Sequence, residues 1–239
     1  LPLTGGPVTA LAADKDIVVL YTNDVHCGVD DNIGYVMVFD FLGDAYEGFA
    51  EAIDAFKAAN VSGMIIDLRN NGGGLVDTCV KMADLILPEG VVVSMKDKNG
   101  NVTEKKIDDE YYDVPMVVLV NGYSASASEI LAGAIRDYKA GTLVGTKTFG
   151  KGIVQSSLEF VDGSGMKVTT ARYYTPSGEC IHGVGIEPDV EIELDEDAVT
   201  RYGINNLPHD HDAQLQKAIE LLGGTPVLAT ATPDEAEAE

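Results

Sequence analysis

A chain of 239 residues with 45% hydrophobic content is long enough to bury a substantial core, and its length fits one or two domains. Its net charge of -23 and the lack of a lysine- or arginine-rich patch argue against a nucleic-acid partner, whose phosphates need cations to neutralise them. Cys27, Cys79 and Cys180 lack metal-type spacing and allow at most one disulfide, so no cysteine framework supports the fold.

Residues 1–13 end in Ala10-Leu11-Ala12-Ala13, a small-residue run that reads as the remnant of a signal peptide and implies an extracytoplasmic protein, secreted or associated with the cell envelope. No stretch approaches the roughly 20 apolar residues that span a bilayer. Residues 14–32 begin with an apolar strand, Ile17-Val18-Val19-Leu20-Tyr21, leading to Asp24 and His26. The next elements form a β-α-β unit: a strand at 35–39, a helix at 47–59 with Phe49, Ile53 and Phe56 at helical spacing, and a strand at Met64-Ile65-Ile66.

Asn70-Asn71-Gly72-Gly73-Gly74 then reads as a strand-to-helix loop, followed by a helix over 75–87. Strands at 90–95 and 102–107 flank Asn99-Gly100 as a hairpin, and 115–120 is a wholly apolar strand. A helix opens at Ser126. Strands at 153–160 and 166–174 alternate around Asp162-Gly163-Ser164-Gly165 as a second hairpin, and 212–222 is a last helix. Residues 223–239 are acidic, contain proline and read as a disordered tail. The pattern predicts an α/β architecture with parallel strands and crossover helices, its site beyond the carboxyl end of a strand.

The chemistry-bearing residues are serines in Ser124-Ala125-Ser126-Ala127-Ser128-Glu129 and Lys151 in Phe149-Gly150-Lys151-Gly152, 25 positions beyond Ser126. A serine hydroxyl needs a base to take its proton as it attacks, and lysine serves only when uncharged, a state that burial favours. Spacing alone leaves Ser124, Ser126 and Ser128 open as the nucleophile. Ser126 to Glu129 also fits a capping box, which is compatible with catalysis because a helix N-terminus offers unpaired amides to an oxyanion. Gly122-Tyr123-Ser124-Ala125-Ser126 has no second glycine and is not a Gly-x-Ser-x-Gly elbow, and no Ser/His/Asp set is evident around His26, His182, His209 and His211.

Asp67-Leu68-Arg69-Asn70-Asn71-Gly72-Gly73-Gly74, the Ser124–Glu129 run, Thr148-Phe149-Gly150-Lys151-Gly152-Ile153-Val154-Gln155, Tyr173-Tyr174-Thr175-Pro176-Ser177-Gly178 and Gly185-Ile186-Glu187-Pro188-Asp189-Val190 stand in one order. Over residues 33–222 the chain resembles the C-terminal processing peptidases, or tail-specific proteases. The resemblance implies a crotonase/Clp-protease-like β-α-β core with added hairpins, and a serine endopeptidase of the Ser/Lys type. It implies Ser126 as nucleophile, Lys151 as base and Gln155 orienting the lysine. Gly73 or Gly74 with Ala127 would form the oxyanion hole, and Glu129 and Asp137 would support the site. It further implies a polypeptide substrate and no cofactor, and is compatible with a homo-oligomer. Gly72 departs from the proline usual in the family, and the 32 residues before Ile33 are too few for the PDZ domain that usually precedes this core.

Residues 17–26 resemble the opening strand of secreted 5'-nucleotidases, where the aspartate and histidine bind metal. Such a site needs further ligands, for which Gly43-Asp44-Ala45 and His209-Asp210-His211 are the only candidates, and the Gly-Asn-His motif is absent, so no metal site is expected. Two other readings stand beside the peptidase: a non-catalytic peptide or lipophilic-ligand binding module of the same fold, and a fragmentary nucleotidase.

Overall fold

A computed structural model describes residues 20–21, 25–30 and 32–225, the first two segments by backbone course alone. In chain order the strands are β1 (Leu20–Tyr21), β2 (Val25–Asp30), β3 (Ile33–Val38), β4 (Gly63–Asp67), β5 (Gly90–Asp97), β6 (Val102–Ile107), β7 (Met116–Val120), β8 (Gly141–Gly145), β9 (Ile153–Glu159), β10 (Gly165–Tyr174) and β11 (Val190–Glu191). The helices are α1 (Ala45–Ala59), α2 (Val76–Asp84), α3 (Ala127–Tyr138), α4 (Glu196–Tyr202) and α5 (Ala213–Leu221). A seven-stranded sheet runs β1-β2-β3-β4-β7-β8-β11, and a four-stranded sheet runs β6-β5-β10-β9. The α/β class and the β-α-β core predicted from sequence are therefore observed.

β3, β4, β7, β8 and β11 pair in parallel, while β2 adds antiparallel to β3. Every residue of β4 and β7 is buried, as a parallel sheet covered on both faces requires. Alternation assigns the two faces. Val36, Val38, Met64, Ile66, Val118 and Val120 share one core with Phe49, Ile53 and Phe56 of α1, Met82 of α2 and Leu131 of α3. Ile65, Val117, Leu119 and Val144 point the other way, under Leu215 and Ala218 of α5.

α2 is shorter than the predicted helix over 75–87, because regular hydrogen bonding ends at Asp84 and Ile86 and Leu87 enter the core through a turn. β8, β11 and α4 were not predicted. β2, from the segment 14–32, continues the larger sheet by pairing Val25–Asp30 with Ile33–Val38. Residues 1–13, Asp24 and most of the tail lie outside the described residues, as does the side chain of His26. Among the described residues no group of His, Cys, Asp and Glu could hold a metal, and no helix is long and apolar enough to cross a membrane. Cys79 and Cys180 are unpaired thiols.

Candidate active site

β7 delivers the chain through residues 121–125 to Ser126, the N-cap of α3, at the carboxyl edge of the parallel sheet. Three serines fall in this run, and their surroundings separate them. Ser124 is fully buried, donates from Oγ to the Leu68 carbonyl at 2.7 Å and accepts from the Asn121 amide. Ser128 is equally buried and donates from Oγ to the Asn71 carbonyl at 2.9 Å. Both hydroxyls thus tie the turn to the glycine-rich loop. Ser126 keeps 9% of its surface exposed where the other two keep none, and has φ 58° and ψ -112°, a positive-φ conformation that costs a non-glycine residue about 1–3 kcal/mol. Such strain at a strand-to-helix turn is how a nucleophilic hydroxyl is held out from its own helix.

Glu129 is wholly buried in the first turn of α3 and organises the site through backbone amides. Its Oε2 accepts from the N–H of Ser126 at 2.9 Å and from the N–H of Lys151 at 2.8 Å. Its Oε1 accepts from Thr148 Oγ1 at 2.6 Å and from the Gly150 amide at 2.7 Å. One carboxylate therefore brings two segments 25 positions apart onto a single oxygen. The expected return of Glu129 to the Ser126 amide is realised, and its hold on the lysine loop is an added function the sequence did not disclose. Thr148, also missed, extends the network, because its Oγ1 accepts the Ile186 amide and draws Gly185-Ile186 against the site.

The Lys151 side chain is exposed rather than buried as expected. The flanking glycines do pack closely, but through backbone: Gly150 accepts from the Gly183 amide, and Gly152 lies against the backbone of His182. That packing fixes the loop and leaves the side chain facing solvent. Gln155 is exposed on β9, and no hydrogen bond joins it to Lys151 in this conformation. His182, which belongs to no Ser/His/Asp set evident in the sequence, is thereby a neighbour of the lysine loop.

The glycine-rich loop meets Ser126 directly. Gly73 has φ 98°, and a Cβ there would lie 2.8 Å from Ser126 Cβ and 2.9 Å from the Ala127 nitrogen, so only glycine fits. Asn71, fully buried, holds the loop: its Nδ2 donates to the Val38 carbonyl, its Oδ1 accepts the Gly73 amide at 2.8 Å, and its carbonyl accepts the Ala125 amide. The Gly73 amide is thus already engaged, which favours exposed Gly74 over it as the loop's donor. Ala127 occupies the first turn of α3, where amides lack intrahelical partners.

Asp137 stands elsewhere, in the last turn of α3, about 16 Å along the axis from Ser126 at 1.5 Å per residue. It accepts the Ser177 amide at 2.9 Å and pairs with Arg136, which fastens the 173–178 turn to the helix end. Burial opposes its ionisation, but hydrogen bonds from Thr175, Ser177 and Arg136 outweigh that and hold the carboxyl below its usual range.

Residues 32–192 match Peptidase family S41. A carboxyl-terminal-processing protease of Synechocystis sp. is 41% identical over 199 residues, covering 83% of this chain and 45% of the relative. A carboxy-terminal-processing protease of Bartonella bacilliformis is 38% identical over 206 residues, covering 79% and 48%. The solved photosystem II D1 C-terminal processing protease superposes with a TM-score of 0.68 at 34% identity, over 79% of this chain and 55% of that one. The chain thus spans about half the length of the curated relatives it matches. With two thirds of its residues inside the family match, and relatives at about 40% identity covering most of it, the chain belongs to peptidase family S41.

Proposed function

We propose that this chain is the catalytic core of a serine endopeptidase that cleaves polypeptides with Ser126 as nucleophile and Lys151 as general base. The observation that carries this reading is the Glu129 carboxylate, whose single oxygen binds the amides of both residues while Ser126 is held in strained geometry. Ser126 Oγ attacks the scissile carbonyl carbon and its proton passes to neutral Lys151 Nζ. The resulting oxyanion is received by the amides of Ala127 and Gly74. Collapse breaks the C–N bond, the amine leaves with the proton from Lys151, and water then hydrolyses the acyl-serine by the same route in reverse.

Exposed Lys151 fits this scheme because an extended substrate laid across it excludes water from the amine at the moment of use. Gln155, on the strand that follows, orients the ammonium once the chain is bound. We place this activity outside the cytoplasm, on the character of residues 1–13, with self-association as a further property of the whole protein.

Ser126→Ala and Lys151→Ala should each lower cleavage of an unfolded polypeptide by on the order of a thousandfold or more, and the double variant should lose little further, since parts of one unit are not additive. Lys151→Arg should fail as well, because arginine stays charged. His182→Ala should retain the rise of activity from acid to mildly alkaline pH. Full turnover by Ser126→Ala, or loss of that pH limb in His182→Ala, would reject the dyad.

A further inference from the structure

The outer face of the four-stranded sheet carries a charge arrangement at odds with the chain's composition. Lys96 of β5 is directly opposite Arg172 of β10, and like charges at paired positions destabilise a sheet. Lys98 follows in the turn, and with Asp97, Thr169, Thr170 and Tyr174 these three cations line a cavity of about 340 Å³. The chain holds 39 acidic residues against 16 lysines and arginines, yet none of the three cations is in an ion pair among the described residues. Asp97, the one acid in the lining, and Glu104 nearby each have other partners. The Asp97 carboxylate accepts from the Asn99 and Asn101 amides and from Asn101 Nδ2, and Glu104 pairs with Lys106.

The position of this cavity relates it to the proposed peptidase site. Tyr173 and Met95 face the core, so the paired Lys96 and Arg172 face outward. Ile153 of β9 pairs with Arg172 and shares that outer face, as does Gln155 two residues on. Two strand spacings put Lys96 about 10 Å from β9, and an extended peptide covers that span and the step to Lys151 in roughly three to five residues. Lysines and an arginine with flanking hydroxyls offer the donors a carboxylate takes, and the guanidinium fork suits a planar anion. The strongly negative remainder of the molecule repels larger polyanions.

We infer that the Lys96, Lys98 and Arg172 cavity binds a carboxylate of the polypeptide substrate, a few residues from the bond that is cut; this deepens the peptidase reading and rests on it. The carboxylate belongs either to an acidic side chain or to the chain's own C-terminus, and one set of peptides distinguishes them. The full chain bearing Ser126→Ala is titrated into four fluorescent peptides of one sequence: free acid, C-terminal amide, amide with an internal Glu, and amide with Gln in its place. Anisotropy should show one anionic form binding about three- to tenfold more tightly than its neutral counterpart at low salt, with the advantage shrinking as salt rises. Lys96→Gln combined with Arg172→Gln should remove the advantage and leave the neutral peptides unchanged. Lys98→Gln, in a turn where no strand pairing is disturbed, should remove part of it. A gain by the free acid assigns the C-terminus, and a gain by the Glu peptide assigns a side chain. Equal binding of all four peptides, no binding of any, or a preference that survives the charge-removing variants would overturn the inference. Because the readout is binding to an inactivated chain, a failure of cleavage in the parent enzyme is seen separately.

Discussion

At the residue scale the site is governed by the Glu129 acceptors rather than by Ser126 itself. Glu129 presents two oxygens to four donors, three of them backbone N–H groups, and it does so without contact with water. Glu129→Gln keeps the shape but turns an NH2 toward N–H donors, so two of these bonds become repulsive. Hydrogen bonds to a charged group contribute about 1.5–3 kcal/mol each, so we expect a loss of roughly 3–5 kcal/mol in urea unfolding. Labelling of Ser126 by a serine-reactive fluorophosphonate should slow in parallel, with Glu129→Asp intermediate. Parent-like values for Glu129→Gln in both measurements would remove the carboxylate from its organising place. The same probe separates the three serines. Ser124→Ala, which orphans the Asn121 amide and leaves the Leu68 carbonyl with the Asn71 amide alone, should cost about 1–3 kcal/mol of stability yet leave the labelled position at Ser126.

The elements differ in how openly their sequences announce them. α1 was readable because Phe49, Ile53 and Phe56 recur at helical spacing and all three are buried, and β7 because an unbroken apolar run of that length has no other home than a covered strand. β8 escaped notice since Gly141-Thr142-Leu143-Val144-Gly145 is five residues bounded by glycines, a pattern equally suited to a turn. α4 is seven residues long, acidic at its start and buried only at Ala198, so it offers no periodic stripe; its Asp195 cap is the sole local signal. The exposure of Lys151 was hidden for another reason. Glycines announce close backbone approach without saying which side the neighbour occupies, and here the neighbours are residues 182–185. Asp137 was assigned to the site by resemblance, and its bonds place it at the far end of α3. Since its folded carboxyl titrates below the usual value, it contributes stability that is present above about pH 4 and is lost as pH falls through its lower folded value. The melting-temperature gap between the parent and Asp137→Asn should therefore narrow as pH is taken from 6 toward 2.5. A gap that widens in acid would contradict the sign.

Across the whole molecule, one buried cluster joins the first half of the chain to the last. Arg69, four positions before Gly73, binds Asp67 at 2.6 Å, and reaches Asp212 at 2.9 Å and Gln214 at 3.2 Å at the start of α5, while Tyr35 donates to Asp67. Burial disfavours the guanidinium charge, but Asp67 and then Asp212 more than compensate and raise its pKa. Removing the cation alone leaves two carboxylates facing each other in the interior, so Arg69→Met should destabilise by about 3–5 kcal/mol, measured by urea unfolding. The combination of Arg69→Met with Asp67→Leu and Asp212→Leu should recover much of that loss, because no buried charge is then left unpaired.

The same cluster orders events during synthesis. Arg69 and Asp212 are separated by 143 positions, so a nascent chain carries the serine, the lysine and the glycine-rich loop long before the partner that locks Arg69 is made. Until α5 emerges, the face bearing Ile65, Val117 and Leu119 is also bare. A fragment ending at residue 211 should accordingly fail to react with the fluorophosphonate, and full reactivity in that fragment would refute the dependence. On the proposed reading α5 arms the peptidase, so a copy released before α5 is made should leave the unfolded chains around it uncut.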